Sequence, residues 1–229
     1  MDAAESNQEP RWRRLPEERP RQIIEAALEV FGEHGLGQAR LEDIARRAGL
    51  SKGTIYLYFP NKEELFREVV RSTLVARIEE AEQELSRRSG ETATEQLSDY
   101  MTGWWKYLSS PGYSTLYRLV IGELHRFPDL ARFYADEVVS RAHTLVASVV
   151  ARGVERGEFR QVDPLVAGRM MSSMLISHAL WCSKREIFKH VTAASEEQIL
   201  SQLKDFVFHS LRPIPSAAPT PAASTHEPQ

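Results

Sequence analysis

The sequence LEDIARRAGLSKGTIYLYF, residues 41–59, decides the fold of the N-terminal part of the chain. Its first half carries apolar residues at the i, i+3, i+4 and i+7 spacing of one helix face, namely Leu41, Ile44, Ala45 and Ala48. Gly49 ends this helix, because glycine readily adopts the left-handed conformation found after helix C-termini. Ser51 is a favoured N-cap residue, and Pro60 cannot continue a helix. The stretch therefore predicts two short helices, about 41–48 and 51–58, joined by a tight turn.

Apolar residues on both sides of the turn predict how the two helices lock together: Ile44, Ala45, Leu50, Ile55 and Phe59. This layout is that of a helix-turn-helix, which holds its second helix away from the body. The opposite face of that helix then carries Lys52, Gly53, Thr54, Tyr56 and Tyr58. Their donors suit phosphates and base edges, and glycine permits a close backbone approach. The alternative is that the two tyrosines pack against the first helix.

Residues 21–66 resemble the N-terminal region of the TetR family of bacterial transcriptional regulators. The matching residues are Ile24, Ala27, Phe31, Gly35, Ile44, Ala45, 48–56, Phe59 and 61–66. The resemblance implies an all-α dimer, in which a three-helix DNA-binding domain precedes a larger helical domain for effector binding and dimerisation.

Individual DNA contacts are carried over by position from this resemblance. It implies that Tyr56 and Lys62 touch phosphate and that Lys52 and Thr54 read bases. Arg40 replaces the threonine that caps the second helix in the family, so only a phosphate contact is expected of it. The complete set of predicted DNA-binding residues is Arg40, Ser51, Lys52, Gly53, Thr54, Tyr56, Tyr58 and Lys62.

The charge of the chain limits where DNA can bind. Its 229 residues hold 29 Lys and Arg against 32 Asp and Glu, a net charge of −3, so attraction to DNA must be local. A basic arm is predicted at 11–21, because this stretch holds five arginines and only two acidic residues. The single cysteine, Cys182, rules out an intrachain disulfide and fits the reducing cytoplasm. No apolar run approaches the roughly 20 residues that cross a bilayer, so no membrane partner is expected.

The rest of the chain also reads as helix, since no period-two alternation indicates a sheet. We predict a first helix from about residue 19, a long helix over 61–88, and further helices near 92–108, 114–126, 129–156, 164–183 and 196–211. The expected organisation is a disordered basic arm (1–16), a DNA-binding domain (17–77, with the helix-turn-helix at 40–59), a C-terminal effector and dimerisation domain (78–212), and a disordered Pro-rich tail (213–229).

The C-terminal half is rich in aromatic and methionine side chains, and helical spacing explains most of them as core. A cavity for a flat apolar or cationic effector is the alternative, and the resemblance favours it. We expect its lining to draw on Trp104, Trp105, Tyr107, Tyr117, Met171 and His178. Glu123 and His125 are expected to form a hydrogen-bonded structural pair. Neither a catalytic set nor a metal-ligand set is recognisable, so no enzyme, metal or cofactor is expected.

These observations predict a sequence-specific DNA-binding repressor. We expect a homodimer, paired through the last two long helices, that a small apolar or aromatic effector releases from a palindromic double-stranded operator. The alternative is a constitutive DNA-binding regulator without a small-molecule ligand.

Overall fold

A computed structural model describes residues 19–190 and 193–213, apart from the side chain of Pro111. The predicted disordered arm at 1–16 and the predicted tail after Pro213 lie outside the described residues, as do Arg11, Arg13 and Arg14 of the basic arm.

The described part of the chain is all-α, which confirms the predicted fold class. Its helices are α1 (Arg19–Gln38), α2 (Leu41–Arg47), α3 (Lys52–Tyr58), α4 (Lys62–Val70), α5 (Ala76–Arg87), α6 (Ala93–Leu108), α7 (Pro111–Glu123), α8 (Pro128–Tyr134), α9 (Arg141–Glu155), α10 (Pro164–Cys182) and α11 (Glu196–Leu211). A 3₁₀ turn, Leu124–Arg126, follows α7.

Two of the long helices predicted from the sequence contain a widened turn. A π-helical turn, Arg71–Val75, joins α4 to α5, and a second, Ala135–Ser140, joins α8 to α9. In the first turn, the Thr73 hydroxyl donates to the Val69 carbonyl at 2.6 Å and the Ser72 hydroxyl donates to the Glu68 carbonyl at 2.8 Å. These side chains satisfy backbone acceptors where the α-helical pattern is interrupted.

Helices α1 to α4 form the N-terminal unit around a core that contains Phe31 and Phe66, which meet edge to face at 6.0 Å between ring centroids. The predicted lock between α2 and α3 is confirmed, because Ile44, Ala45, Ile55 and Phe59 are buried and Leu50 is half-buried. On the outside, Arg47 donates from α2 to Glu29 at 2.8 Å and to Glu33 at 2.7 Å on α1. Packing and ion pairs thus fix the helix-turn-helix unit on α1.

Helix α7 connects this unit to the rest of the molecule. It packs along α1, where a Cβ atom on Gly32 would lie 2.6 Å from the Thr115 methyl group. Helices α6, α9 and α10 form the C-terminal core, and the buried residues of both parts belong to one continuous apolar cluster. Movement of α7 therefore bears on both parts of the chain.

Candidate DNA-binding surface and effector cavity

Helix α3 is held by its ends and by one buried side chain. Gly49, with a φ of 67°, makes the left-handed turn after α2 that a side chain would disfavour. Ser51 is the N-cap as predicted, because its hydroxyl oxygen accepts the Thr54 N–H at 3.1 Å. Only Ile55 is buried within the helix itself. The remaining side chains are consequently available to a partner.

The exposed face of α3 carries the residues expected to contact DNA. Tyr56 and Tyr58 keep exposed fractions of 44% and 38%, so neither is buried against α1. Among the described residues, and apart from the chain neighbours of Gly53 and the backbone of its own helix, only the Ser51 hydroxyl, at 3.9 Å, lies within 4 Å of the position that a Cβ on Gly53 would take. The face thus offers polar donors around a stretch of bare backbone, the arrangement that a DNA groove admits.

A carboxylate on α2 ties two of these donors together. Glu42 Oε1 lies 2.7 Å from Lys52 Nζ and accepts the Tyr56 hydroxyl at 3.3 Å. The Lys52 ammonium, which also lies 5.9 Å from the centroid of the Tyr56 ring, holds the pKa of Glu42 below its usual value. The same pair raises the pKa of Lys52. Without DNA, Lys52 and Tyr56 are therefore engaged by Glu42, which nothing in the sequence pattern singled out.

We expect Glu42→Ala to bind random DNA severalfold more tightly and to discriminate less between operator and random DNA. The substitution removes a negative charge that faces phosphates and frees Lys52 and Tyr56. Binding titrations over a salt series measure both effects, with Glu155→Ala, an exposed acid at the end of α9, as the matched control. Weaker binding to random DNA would show that Glu42 serves to orient Lys52.

Arg40 and Lys62 flank the helix-turn-helix unit in different ways. Arg40 is exposed and its side chain does not cap α2, as its departure from the family threonine implied. Lys62 is half-buried, and its ammonium donates to the carbonyl of Gly37 at 2.7 Å and to that of Ala39 at 3.4 Å. Lys62 thus fixes the connection between α1 and α2 and keeps one N–H for a phosphate.

An apolar cavity of about 230 Å³ lies in the C-terminal part of the chain, among α6, α7, α9, α10 and the two π-helical turns. Five aromatic residues dominate its wall: Tyr100, Trp104, Tyr113, Tyr117 and Tyr134. Neighbouring rings are in contact: the ring centroids of Tyr100 and Trp104 lie 5.8 Å apart, and those of Tyr113 and Tyr117 lie 5.9 Å apart. The remaining lining residues are Leu74, Leu108, Ile121, Val138, Val139, Ala142, His143, Ser172, Leu175 and Ile176.

Burial shifts the pKa values of four groups of this wall, Tyr100, Tyr113, Tyr134 and His143, in the direction that favours their uncharged forms. Burial raises the pKa of Tyr134 to about 12 and also raises the pKa values of Tyr100 and Tyr113. Burial, assisted by the positive charge of Arg169, lowers the pKa of His143 below its usual 6.5. An uncharged aromatic wall favours an apolar occupant or a cation that stacks on the ring faces, because an anion would lose hydration without gaining a partner there.

The structure brings two of the six predicted effector residues to the cavity, namely Trp104 and Tyr117. Trp105 is buried in the core and does not line the cavity. Tyr107 does not line the cavity but packs against two residues that do. Its ring centroid lies 5.7 Å from that of Trp104 and 5.6 Å from that of Tyr113.

On α10, the predicted residues Met171 and His178 do not line the cavity, because they lie on a different side of the helix from the residues that do. Met171 lines a groove against α11, and His178 packs on Trp181 at 4.9 Å between ring centroids. The cavity side of this helix is formed by Ser172, Leu175 and Ile176.

The expected pair of Glu123 and His125 does not form. The carboxylate of Glu123 instead accepts the backbone N–H of Gly37 at 3.2 Å, and His125 is exposed. The helical pattern places Glu123 at the end of α7 but cannot show that α1 passes beside it.

The described residues contain no group of three or more His, Cys, Asp or Glu side chains arranged to hold a metal ion. None of their helices combines the length and apolar character needed to cross a membrane.

Comparison with known proteins assigns both parts of the chain. Residues 23–69 match the model of the bacterial regulatory proteins of the tetR family, and residues 95–208 match the C-terminal domain of AefR-like transcriptional repressors. The chain belongs to the TetR family. It is therefore a DNA-binding transcriptional regulator.

Individual relatives agree with this assignment. The fatty acid metabolism regulator protein of Bacillus subtilis is 29% identical over 160 residues, which cover 69% of this chain and 80% of the relative. The structure of FadR from Bacillus subtilis in complex with stearoyl-CoA is similar in fold, with a TM-score of 0.68, 22% identity, and coverage of 84% and 99% of the two chains. A regulator from Saccharomonospora viridis in complex with choline gives a TM-score of 0.69, 22% identity, and coverage of 86% and 98%.

Proposed function

We propose that the protein is a cytoplasmic repressor that binds a palindromic operator as a homodimer and leaves it when a small apolar or aromatic effector fills the cavity. The observation that carries the proposal is the exposure of Lys52 and Tyr56, beside the half-buried Thr54, on a helix whose only buried residue is Ile55. One such helix reads too few base pairs for specificity, so two copies must act together on symmetric half-sites.

The surface between α10 and α11 supports the dimer. It forms a groove of about 740 Å³, beside which Met170 and Phe206 keep exposed fractions of 63% and 62%. Exposed apolar surface of this kind marks a site of association, and two helices from each copy would make a four-helix seam. The sequence suggests seven apolar residues of these two helices for the seam, namely Met170, Met174, Leu175, Ile199, Leu203, Phe206 and Val207. Of these, Leu175, Ile199, Leu203 and Val207 are buried in the chain's own core, whereas Met170 and Phe206 are exposed. The seam is therefore centred on Met170 and Phe206.

The cavity supports the effector. An engineered apolar cavity of about 150 Å³ binds benzene, so the present cavity suits a substituted single ring or an aliphatic group of similar size. Such a ligand acts as an inducer only if it prefers the protein conformation that does not fit the operator. A hundredfold change in operator affinity needs about 2.7 kcal/mol of coupling, which is within the usual allosteric range.

A fatty acyl thioester is a second candidate effector, favoured by the similarity to the Bacillus subtilis fatty acid metabolism regulator and to the FadR structure that holds stearoyl-CoA. Arg169 is exposed, makes no ion pair within the described ranges, and lines the α10–α11 groove, close enough to the cavity for its charge to act on His143 of the cavity wall. It offers a positive charge to an anionic head group while the cavity takes a short apolar tail.

We expect one of three probes, 4-ethylphenol, octanoyl-CoA or choline, to raise the melting temperature and to release the operator. A ligand at 100 times its Kd stabilises a protein by about 2.7 kcal/mol, or roughly 5–10 °C for a chain of this size. Trp104→Ala and Trp105→Ala form a matched pair, since both tryptophans are buried but only Trp104 lines the cavity. The first should lose the ligand-induced shift and the second should keep it.

The two effector chemistries give different outcomes in this experiment. A response to octanoyl-CoA that Arg169→Ala abolishes would favour the acyl thioester. A response to 4-ethylphenol that Arg169→Ala leaves unchanged would favour the neutral aromatic ligand. Operator binding by a protein that none of the probes stabilises or releases would favour the constitutive regulator.

A further inference from the structure

The peptide units on either side of Gly37 are held by two helices that do not contain them. The Gly37 N–H donates to Glu123 Oε2 at 3.2 Å, and the Gly37 carbonyl accepts from Lys62 Nζ at 2.7 Å. Glu123 is the last residue of α7, and Lys62 is the first residue of α4. The end of α1 is thus connected to both α7 and α4 immediately before α2 begins.

The carboxylate of Glu123 lies close against this backbone, and the glycines there make room for it. A Cβ atom on Gly35 would lie 2.9 Å from Glu123 Oε1, and the φ of 73° at Gly35 is itself unfavourable for a side chain. A Cβ on Gly37 would lie 3.4 Å from Glu123 Oε2 and 3.3 Å from the Arg126 guanidinium. Only 23% of the Glu123 side chain is exposed, so water competes poorly for the Gly37 N–H.

Helix α7 links this contact to the cavity. Its residues Tyr113, Tyr117 and Ile121 line the cavity, while Thr115 touches α1 at Gly32. Leu41, the first residue of α2, follows Gly37 by only four residues, and the α2–α3 pair is packed as a unit. The position of Gly37 therefore sets where α3 points.

We propose that Glu123 is a positioning residue for operator binding, which acts by holding the Gly37 backbone against α7 and so fixing the direction of the recognition helix α3. This inference rests on the proposed function, because it assumes an operator with two half-sites at a defined spacing. It adds a residue that does not touch DNA to those that determine operator affinity.

Operator titrations with the full-length protein test the role of Glu123. We expect Glu123→Ala to weaken operator binding at least about tenfold and to leave binding to random DNA unchanged or slightly tighter, because losing a negative charge by itself favours DNA. Glu123→Gln keeps a side-chain oxygen that can accept the Gly37 N–H, so it should bind within about threefold of the wild type. Asp129→Ala is the matched control, because within the described part of the chain this exposed acid pairs only with Arg132 on α8.

Amide hydrogen exchange at Gly37 tests the same contact without DNA or effector. Exchange at this amide should accelerate at least about tenfold in Glu123→Ala and stay near the wild-type rate in Glu123→Gln. If the alanine variant does not fold, Glu123→Asp replaces it, because the shorter side chain withdraws the carboxylate from Gly37 while keeping the charge.

Three results would overturn the proposal. The first is an unchanged exchange rate of the Gly37 amide in Glu123→Ala, and the second is an unchanged operator affinity in that variant. The third is an equal loss of affinity for operator and for random DNA. Failure of the proposed function looks different, since the wild type itself would then bind no operator while the exchange measurement still reports on Glu123.

Discussion

Lys52→Ala should lower operator affinity by about 30-fold or more and flatten the base preference at two symmetry-related positions. In the free protein the ammonium lies 2.7 Å from Glu42, at the exposed start of α3. On the operator it would exchange this carboxylate for guanine O6 and N7, a contact that typically discriminates strongly between bases. A symmetric dimer loses this base contact in both half-sites, so the cost in binding free energy arises twice. Affinity for random DNA should change little.

Lys62→Ala provides the contrast, because Lys62 is expected to touch phosphate. Two lost phosphate contacts per dimer should make the slope of log K against log salt shallower by about 1.8, at roughly 0.9 per phosphate. Lys62 also donates to Gly37 and Ala39, but loss of that positioning does not change the number of ions released. Titrations of both variants on operator and random DNA decide the roles. Altered base preference in Lys62→Ala and a uniform loss in Lys52→Ala would reverse them.

Replacing both Met170 and Phe206 by glutamate should split the dimer. Each side chain is exposed in the single chain, so the subunit should keep its helical circular dichroism while four carboxylates face one another across the seam. Light scattering should then give a mass near 26.1 kDa, and the dimeric wild type about twice that value. Operator affinity should fall about a hundredfold or more, since the second half-site is no longer tethered to the first.

The control for this variant is Ile121→Glu, which places a charge on an equally exposed apolar residue of α7, outside the α10–α11 groove. It should remain dimeric. A wild type that scatters as a monomer at micromolar concentration, or a double variant that stays dimeric, would contradict the assignment of the seam.

Local patterns in the sequence predicted most of the helices. The i, i+3, i+4 spacing, the N-cap at Ser51 and the breakers at Gly49 and Pro60 all act within a few residues, so their effects can be read without knowing the fold. The π-helical turns escaped prediction, because the apolar spacing through 61–88 and 129–156 is compatible with an uninterrupted helix.

The candidate sites were only partly predictable, because they depend on which helix faces meet. The exposed face of α3 follows from the burial of Ile55. The pairing of Glu42 with Lys52 joins two helices, and the contact of Glu123 with Gly37 joins residues 86 positions apart. Helix α10 is apolar around much of its circumference, so the sequence could not show that Ser172 and Ile176 face the cavity while Met171 and His178 do not.

The two π-helical turns determine where the chain tolerates a one-residue change in length beside the cavity. Each such turn holds one residue more than an α-helical turn, which rotates the following helix by about 100° relative to an uninterrupted one. Leu74 of the first turn and Val138 and Val139 of the second turn lie on the cavity wall. Deleting one residue from either turn would therefore restore a regular α-helix and leave the same stripe of α5 or α9 facing the interior. Such a deletion would alter the cavity wall locally, at Leu74 or at Val138 and Val139, without turning the helix that follows.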